Sequence, residues 1–175
     1  MLAVYPNREI SDEVLAFRQQ LTELSGGCSA PALLPCITIA YFEMLPLYED
    51  LLVRSLDEFC FRQLRSANVE LSGFHKSEEF RAICFEPRQL SYFNGMIRKT
   101  AAVLKTVSTC RVKPPELPPV IPILHQADEA CLRQAWELFH NKVYARFFYA
   151  NNLNLLRLPK APGETPKLLK SFSLL

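Results

Sequence analysis

The chain has 175 residues, 49% of them hydrophobic and 22% charged. That is enough to bury a sizeable core and too apolar for a disordered chain. Its 20 basic and 18 acidic residues leave a net charge of +2, too balanced to argue for nucleic-acid binding by charge alone.

No apolar run approaches the length of a membrane span, and no basic stretch followed by an apolar one opens the chain. The sequence therefore predicts no membrane segment and no signal peptide. Its six cysteines are at 28, 36, 60, 84, 110 and 131, and none forms a Cys-x-x-Cys pair. Metal-ligand spacing is absent, so no metal or other cofactor is expected. Most of these cysteines sit in apolar runs such as Ile83-Cys84-Phe85, where a free thiol behaves as a small core residue. A reduced, cytoplasmic protein is the expectation.

In chain order, Leu2 to Tyr5 reads as a short strand stopped by Pro6-Asn7. Ser11 is the expected N-cap of a first helix. Val14, Phe17, Leu21 and Leu24 then form its buried stripe, and Gly26-Gly27 ends it. Leu34 to Phe42 is dense in β-branched and aromatic residues and predicts a buried strand. Alternation places Cys36, Thr38 and Ala40 on one face, and Ile37, Ile39 and Tyr41 on the other. Met44-Leu45-Pro46 is a turn. Leu52, Leu56 and Phe59 give a second helix, with Glu49, Asp50, Asp57 and Glu58 on its wet side.

Asn68 to Phe74 alternates polar and apolar residues, which predicts a half-exposed strand. It pairs in expectation with Phe80 to Phe85 as a hairpin around the polar loop His75–Glu79. Leu90, Phe93, Ile97, Ala101 and Leu104 define a third helix. Arg98, Lys99, Lys105, Arg111 and Lys113 follow one another with no acid between them. They read as a solvated helix face and loop in preference to an anion site.

Pro114 to Pro119 is a stiff connector. Val120 to Leu124 is strand-like but carries Pro122, which makes it an edge or bulged strand. A fourth helix follows from Leu132, Ala135, Trp136 and Phe139. Two strands flank Asn151-Asn152, residues 159–166 form a loop, and a last strand runs from Lys167 to Leu174. Eight strands and four helices predict an α+β protein. The strand after the first helix of each half, at Cys36 and at Val120, occupies an equivalent place. The pattern predicts two pseudo-twofold lobes, each an antiparallel sheet with outer helices, facing across a central cleft, with residues 1–175 as one bilobal domain.

This order of elements, with Pro35-Cys36-Ile37-Thr38-Ile39 after the first helix, resembles the 2H phosphoesterases, the 2′-5′ RNA ligase-like and cyclic phosphodiesterase proteins. The family motif, Pro-His-apolar-Thr/Ser-apolar, occurs once per lobe. Pro35, Ile37, Thr38 and Ile39 fit the first copy, and Cys36 stands where histidine belongs. Pro119-Val120-Ile121-Pro122-Ile123 holds the place of the second, with Val120 for the histidine and Pro122 for the threonine. The stretch Leu132 to Phe139, followed by Val143 to Leu158, also resembles family members, as does Val69 to Phe74.

Cleaving or closing a phosphodiester beside a ribose hydroxyl needs a base and an acid on opposite sides of phosphorus, and histidine suits both near neutral pH. The family hydroxyl two residues on can hydrogen-bond a phosphate oxygen, which Thr38 retains. A Cys36 thiol is a poor stand-in for imidazole. Val120 moves no proton, and Pro122 has neither hydroxyl nor backbone donor. An acid–base contribution of about 10²–10⁴ is expected to be lost or much reduced at each position.

His125, five residues beyond Val120, falls on the opposite face by alternation unless a bulge at Pro122 flips the parity. His75 and His140 read as surface residues. Cys36 reads as structural in preference to nucleophilic, since no base accompanies it. Among Phe42, Phe74, Tyr92, Phe93, Tyr144, Phe147, Phe148 and Tyr149, base-stacking platforms are conceivable, but helix and strand periodicity favours the core.

The resemblance thus implies a degenerate 2H protein that lacks the usual phosphodiesterase or ligase chemistry. It would bind a nucleotide, an RNA end or a protein partner in the residual cleft, with Cys36 and Thr38 as the ligand-binding candidates. Two alternatives stand beside it: an active cyclic phosphodiesterase or RNA ligase-like enzyme using Cys36 and Thr38, and an unrelated α+β interaction module. A monomer is the default.

Overall fold

The computed structural model describes residues 1–25, 34–107, 110–159 and 165–175. In chain order these form β1 (Leu2–Val4), α1 (Arg8–Ser25), β2 (Ile37–Glu43), a 3₁₀ turn (Pro46–Tyr48), α2 (Glu49–Gln63), β3 (Ala67–Ser72), β4 (His75–Ser77) and β5 (Ala82–Phe85). There follow α3 (Leu90–Thr106), β6 (Arg111–Lys113), β7 (Ile121–Leu124), α4 (Glu129–Phe139), β8 (Ala145–Ala150), β9 (Asn152–Arg157) and β10 (Lys167–Ser173). The fold is α+β with antiparallel sheets, as expected.

The first helix starts earlier than Ser11 suggests. Asn7 caps it, its Oδ1 accepting the Ile10 amide at 3.0 Å, as a short polar side chain does at a helix start. Asp128 does the same for α4, accepting the Cys131 amide at 2.7 Å. The glycine pair 26–27 and most of the loop after Leu158 lie outside the described residues.

The lobes are not the two halves of the chain. One sheet has the order β10-β9-β1-β2-β6 and so draws on both ends and the middle. The other side is built from the pair β3-β8 and the trio β4-β5-β7, joined by a bridge between Leu71 and Pro87. α2 packs on β10 and α3 on β2, whereas α1 packs on β7 and α4 on β5.

Two expected hairpins change accordingly. β3 pairs with β8 along its whole length, and β5 pairs with β4 and β7. β8 and β9 flank Asn151 but belong to different sheets. Local alternation cannot choose a partner strand; burial of the whole face does. The basic segment at Arg111–Lys113 is a strand and not a loop. It pairs with β2, and Lys113 reaches Glu43 at 2.5 Å.

One continuous core joins both sides, including Ile37, Leu56, Val69, Phe85, Phe93, Ile121, Phe139 and Phe172. Phe17, Phe74, Phe85, Phe139 and Tyr144 interlock there, with Phe85 and Tyr144 stacked at 4.0 Å and Phe74 and Phe139 at 4.7 Å. Such offset and edge contacts add to plain burial. The core reading therefore holds for Phe74, Phe93, Tyr144 and Phe148. It fails for Phe147 and Tyr149, which are exposed.

Candidate functional site

The site is positioned by β2 and β7, and the two strands share one distortion. On β2, Leu2 pairs with Ala40 and Ala3 with Thr38, so Ile39 is an unmatched extra residue. On β7, Ile83 pairs with Leu124 and Cys84 with Pro122, so Ile123 is the extra one. The two bulges sit 84 positions apart in the sequence, from 39 to 123.

A bulge reverses the alternation beyond it. On β2, Ala40 therefore joins Ile37 and Ile39 in the core, and Tyr41 turns to the side of Cys36 and Thr38. This corrects the sequence reading, which put Ala40 with Cys36 and Tyr41 with Ile37. On β7, Leu124 joins Ile121 and Ile123 in the core, and His125 turns to the side of Val120 and Pro122. The parity flip considered for His125 is the one observed.

Between the strands lies a cavity of about 50 Å³, lined by Thr38, Tyr41, Glu116, Leu117, Pro118, Val120, Pro122 and His125. That volume takes a few waters or one small group and is far below the roughly 300–1,000 Å³ of a pocket that engulfs a ligand. The segment Glu116-Leu117-Pro118 forms part of its wall. Of the four motif positions, Thr38, Val120 and Pro122 meet in this cavity.

Cys36 does not line the cavity. It is buried against Met1, Ala3 and Leu156, with Tyr5 and Tyr41 packed around it. Burial pushes its thiol up to about 11, against the opposing charge of Arg18 and a hydrogen bond with Thr38. A thiol in that state is protonated at neutral pH and is neither base nor nucleophile. Burial also raises the Tyr41 hydroxyl above its ordinary range, opposed by a hydrogen bond with Thr38 and reinforced by Cys36 and Glu116.

Arg18 is the buried charged neighbour that the sequence reading missed. It is 4% exposed, and its Nη2 donates to the Pro122 carbonyl at 2.6 Å. Burial lowers its pKa to about 10 while Cys36 opposes the shift, so it stays charged at neutral pH. It thereby ties α1 to β7 and sets a positive charge beside Cys36. A signal was present: Arg18 falls on the buried stripe of α1 with Val14 and Leu21, where a charge needs a partner. Glu116 had no signal in its proline-rich segment.

The other histidines stay outside. His75 is exposed, with Nε2 at 3.1 Å from the Ser72 carbonyl. His140 follows α4, with Nδ1 at 3.1 Å from the carbonyls of Trp136 and Glu137. Among the described residues, no three His, Cys, Asp or Glu side chains gather as a metal set. No described helix is long and apolar enough to cross a membrane.

Two different sheets present these equivalent bulged strands across one cavity. Solved structures share this fold. Escherichia coli LigT, in complexes with 3′-AMP and with NADP+, superposes with a TM-score of 0.59 at 14% identity, over 99% of this chain and 95% of LigT. The protein TT0787 of Thermus thermophilus matches with a TM-score of 0.56 at 13% identity, over 99% of this chain and 96% of its own. No protein-family model and no curated protein sequence matches the chain.

Proposed function

We propose that this protein is a 2H-fold binding protein without the two-histidine proton relay, and that it takes the phosphate end of a nucleotide or RNA at the β2–β7 cavity. The observation that carries the reading is the wall supplied by β7: Val120 and Pro122 line the cavity and neither side chain carries an exchangeable proton. Across from them, Cys36 is sealed behind the cavity with its thiol protonated. Thr38, Tyr41 and His125 remain as hydrogen-bonding groups for a small anion, beside the one carboxylate of the wall, Glu116. The LigT complexes with 3′-AMP and NADP+ support a nucleotide as the class of ligand. The cavity's size means that only the terminal group enters and the base lies outside. In this reading residues 1–175 act as one unit.

Incubation with 2′,3′-cyclic AMP and with a 2′-5′ dinucleotide, read by chromatography, is expected to give no turnover. Heating with 3′-AMP at about a hundredfold excess over Kd is expected to add about 2.7 kcal/mol of stability and raise Tm by about 5–10 °C. Turnover that vanishes in Thr38→Val overturns the binding-only reading.

One observation favours a second reading, an enzyme with an altered site: His125 shares the cavity with Thr38. Turnover abolished in both Thr38→Val and His125→Gln would establish it. If neither turnover nor stabilisation is found, the remaining reading is a protein-interaction module, which a partner pull-down addresses.

A further inference from the structure

We propose a second site on the outer face of the β3–β8 pair, a stacking platform for single-stranded nucleic acid that is independent of the cavity and of the reading given to it. Phe147 and Tyr149 stand two residues apart on β8 and are 64% and 55% exposed. Both point away from the core, because Phe148 and Ala150 take the buried positions of the same strand. Across the register, Phe147 faces Glu70 and Tyr149 faces Asn68. Alternate residues on one strand face lie about 7 Å apart along the strand. An extended nucleotide chain can lay successive bases on such rings, and every base has a face to stack.

The surroundings hold the rings in place and favour a polyanion. Tyr149 Oη lies 2.5 Å from Ser66 Oγ. Tyr92 Oη donates to the Arg65 carbonyl at 2.6 Å, and Lys99 Nζ to the Gln63 carbonyl at 3.2 Å. The short stretch 63–66 therefore brings Arg65 and Lys99 to the edge of the aromatic face. Both are exposed, and neither makes an ion pair with a described residue. Glu70, the acid beside Phe147, is held by Arg88 at 3.3 Å, so its charge is matched.

The face suits a nucleic acid better than an added protein strand. The exposed groups are rings standing off the sheet, and the β8 edge is partly blocked because Arg146 Nη1 donates to the Ala145 carbonyl at 3.0 Å, an occupied edge acceptor being a poor template.

The test is fluorescence anisotropy of the full chain with a labelled RNA of about 12 nucleotides and its DNA counterpart, from about 50 to 200 mM salt. Binding is expected at low salt. Phe147→Ser and Tyr149→Ser each weaken it by about tenfold or more, while Tyr149→Phe, which keeps the ring, retains it. Arg65→Gln and Lys99→Gln each flatten the log–log salt slope by about one. The RNA and DNA arms show which backbone is preferred, and binding of either that falls with the ring substitutions supports the site. Circular dichroism confirms folding of each variant, and any variant that does not fold is replaced by Phe147→Gln or Tyr149→Gln. No binding at low salt overturns the proposal. So does binding that ignores both ring substitutions but falls with Thr38→Val, which would assign it to the cavity. A wild-type dimer that Phe147→Ser splits overturns it too, because the face is then a protein interface.

Discussion

β2 and β7 are the same device in two settings. Each follows the same course, with a cavity-facing residue, an extra isoleucine that bulges the strand, and a ring brought round by the bulge: Thr38, Ile39 and Tyr41 against Pro122, Ile123 and His125. The settings differ. β2 lies between β1 and β6 inside a five-stranded sheet, whereas β7 is the edge of a three-stranded one. An interior strand must donate to both neighbours, so proline is excluded there; an edge strand tolerates it. Pro122 is therefore allowed where β7 sits, and its free carbonyl is taken by Arg18. The comparison teaches that the shape of the site is carried by the bulges and the core behind them. The groups that face the cavity are free to change once the shape is set.

The equivalence can be broken most directly at the bulges. Ile39 and Ile123 are both fully buried. Ile39→Ala and Ile123→Ala are each expected to cost about 2–5 kcal/mol in urea unfolding. A large cost on one strand and a negligible one on the other would end the claim that the two bulges do the same work.

Next in size is the pH dependence that Cys36 contributes to β2. The thiol titrates at 9.0 ordinarily and at about 11 in the folded chain. Between those values the unfolded chain releases the proton and the native one keeps it, so stability falls as pH rises. The loss is steepest midway between them and totals roughly 3 kcal/mol over the whole window from below pH 9 to above pH 11. Cys36→Ala is expected to remove that part of the slope, and β7 has no counterpart because Val120 does not titrate. Parallel slopes for the two proteins would contradict the burial described.

Removing the guanidinium with Arg18→Met is expected to cost about 1.5–3 kcal/mol, because the Pro122 carbonyl loses a charged donor. Pro122→Thr is the mildest change, expected to shift stability by less than about 1 kcal/mol, since an edge position asks little of the backbone. It also restores to β7 the hydroxyl that β2 has in Thr38. A gain in 3′-AMP affinity, read as a larger rise in Tm, would sharpen the comparison further.

The sequence by itself determined most of the elements, β4 and β6 excepted, and much of the site's address. Apolar periodicity marked the four helices, because burial of one stripe leaves its period in the chain. Dense β-branched runs marked β2 and β7, and proline announced the edge. What only the tertiary structure decided was pairing and parity. Alternation describes a strand without a partner, so it could not tell that β3 pairs with β8 or that β8 and β9 part company at Asn151. Nor could it register one extra residue opposite a partner strand. That residue, Ile39 on one side and Ile123 on the other, moves Ala40 and Leu124 into the core and delivers Tyr41 and His125 to the cavity. A side-chain period of two is reversed by a single insertion, and the insertion exists only once two strands are laid side by side.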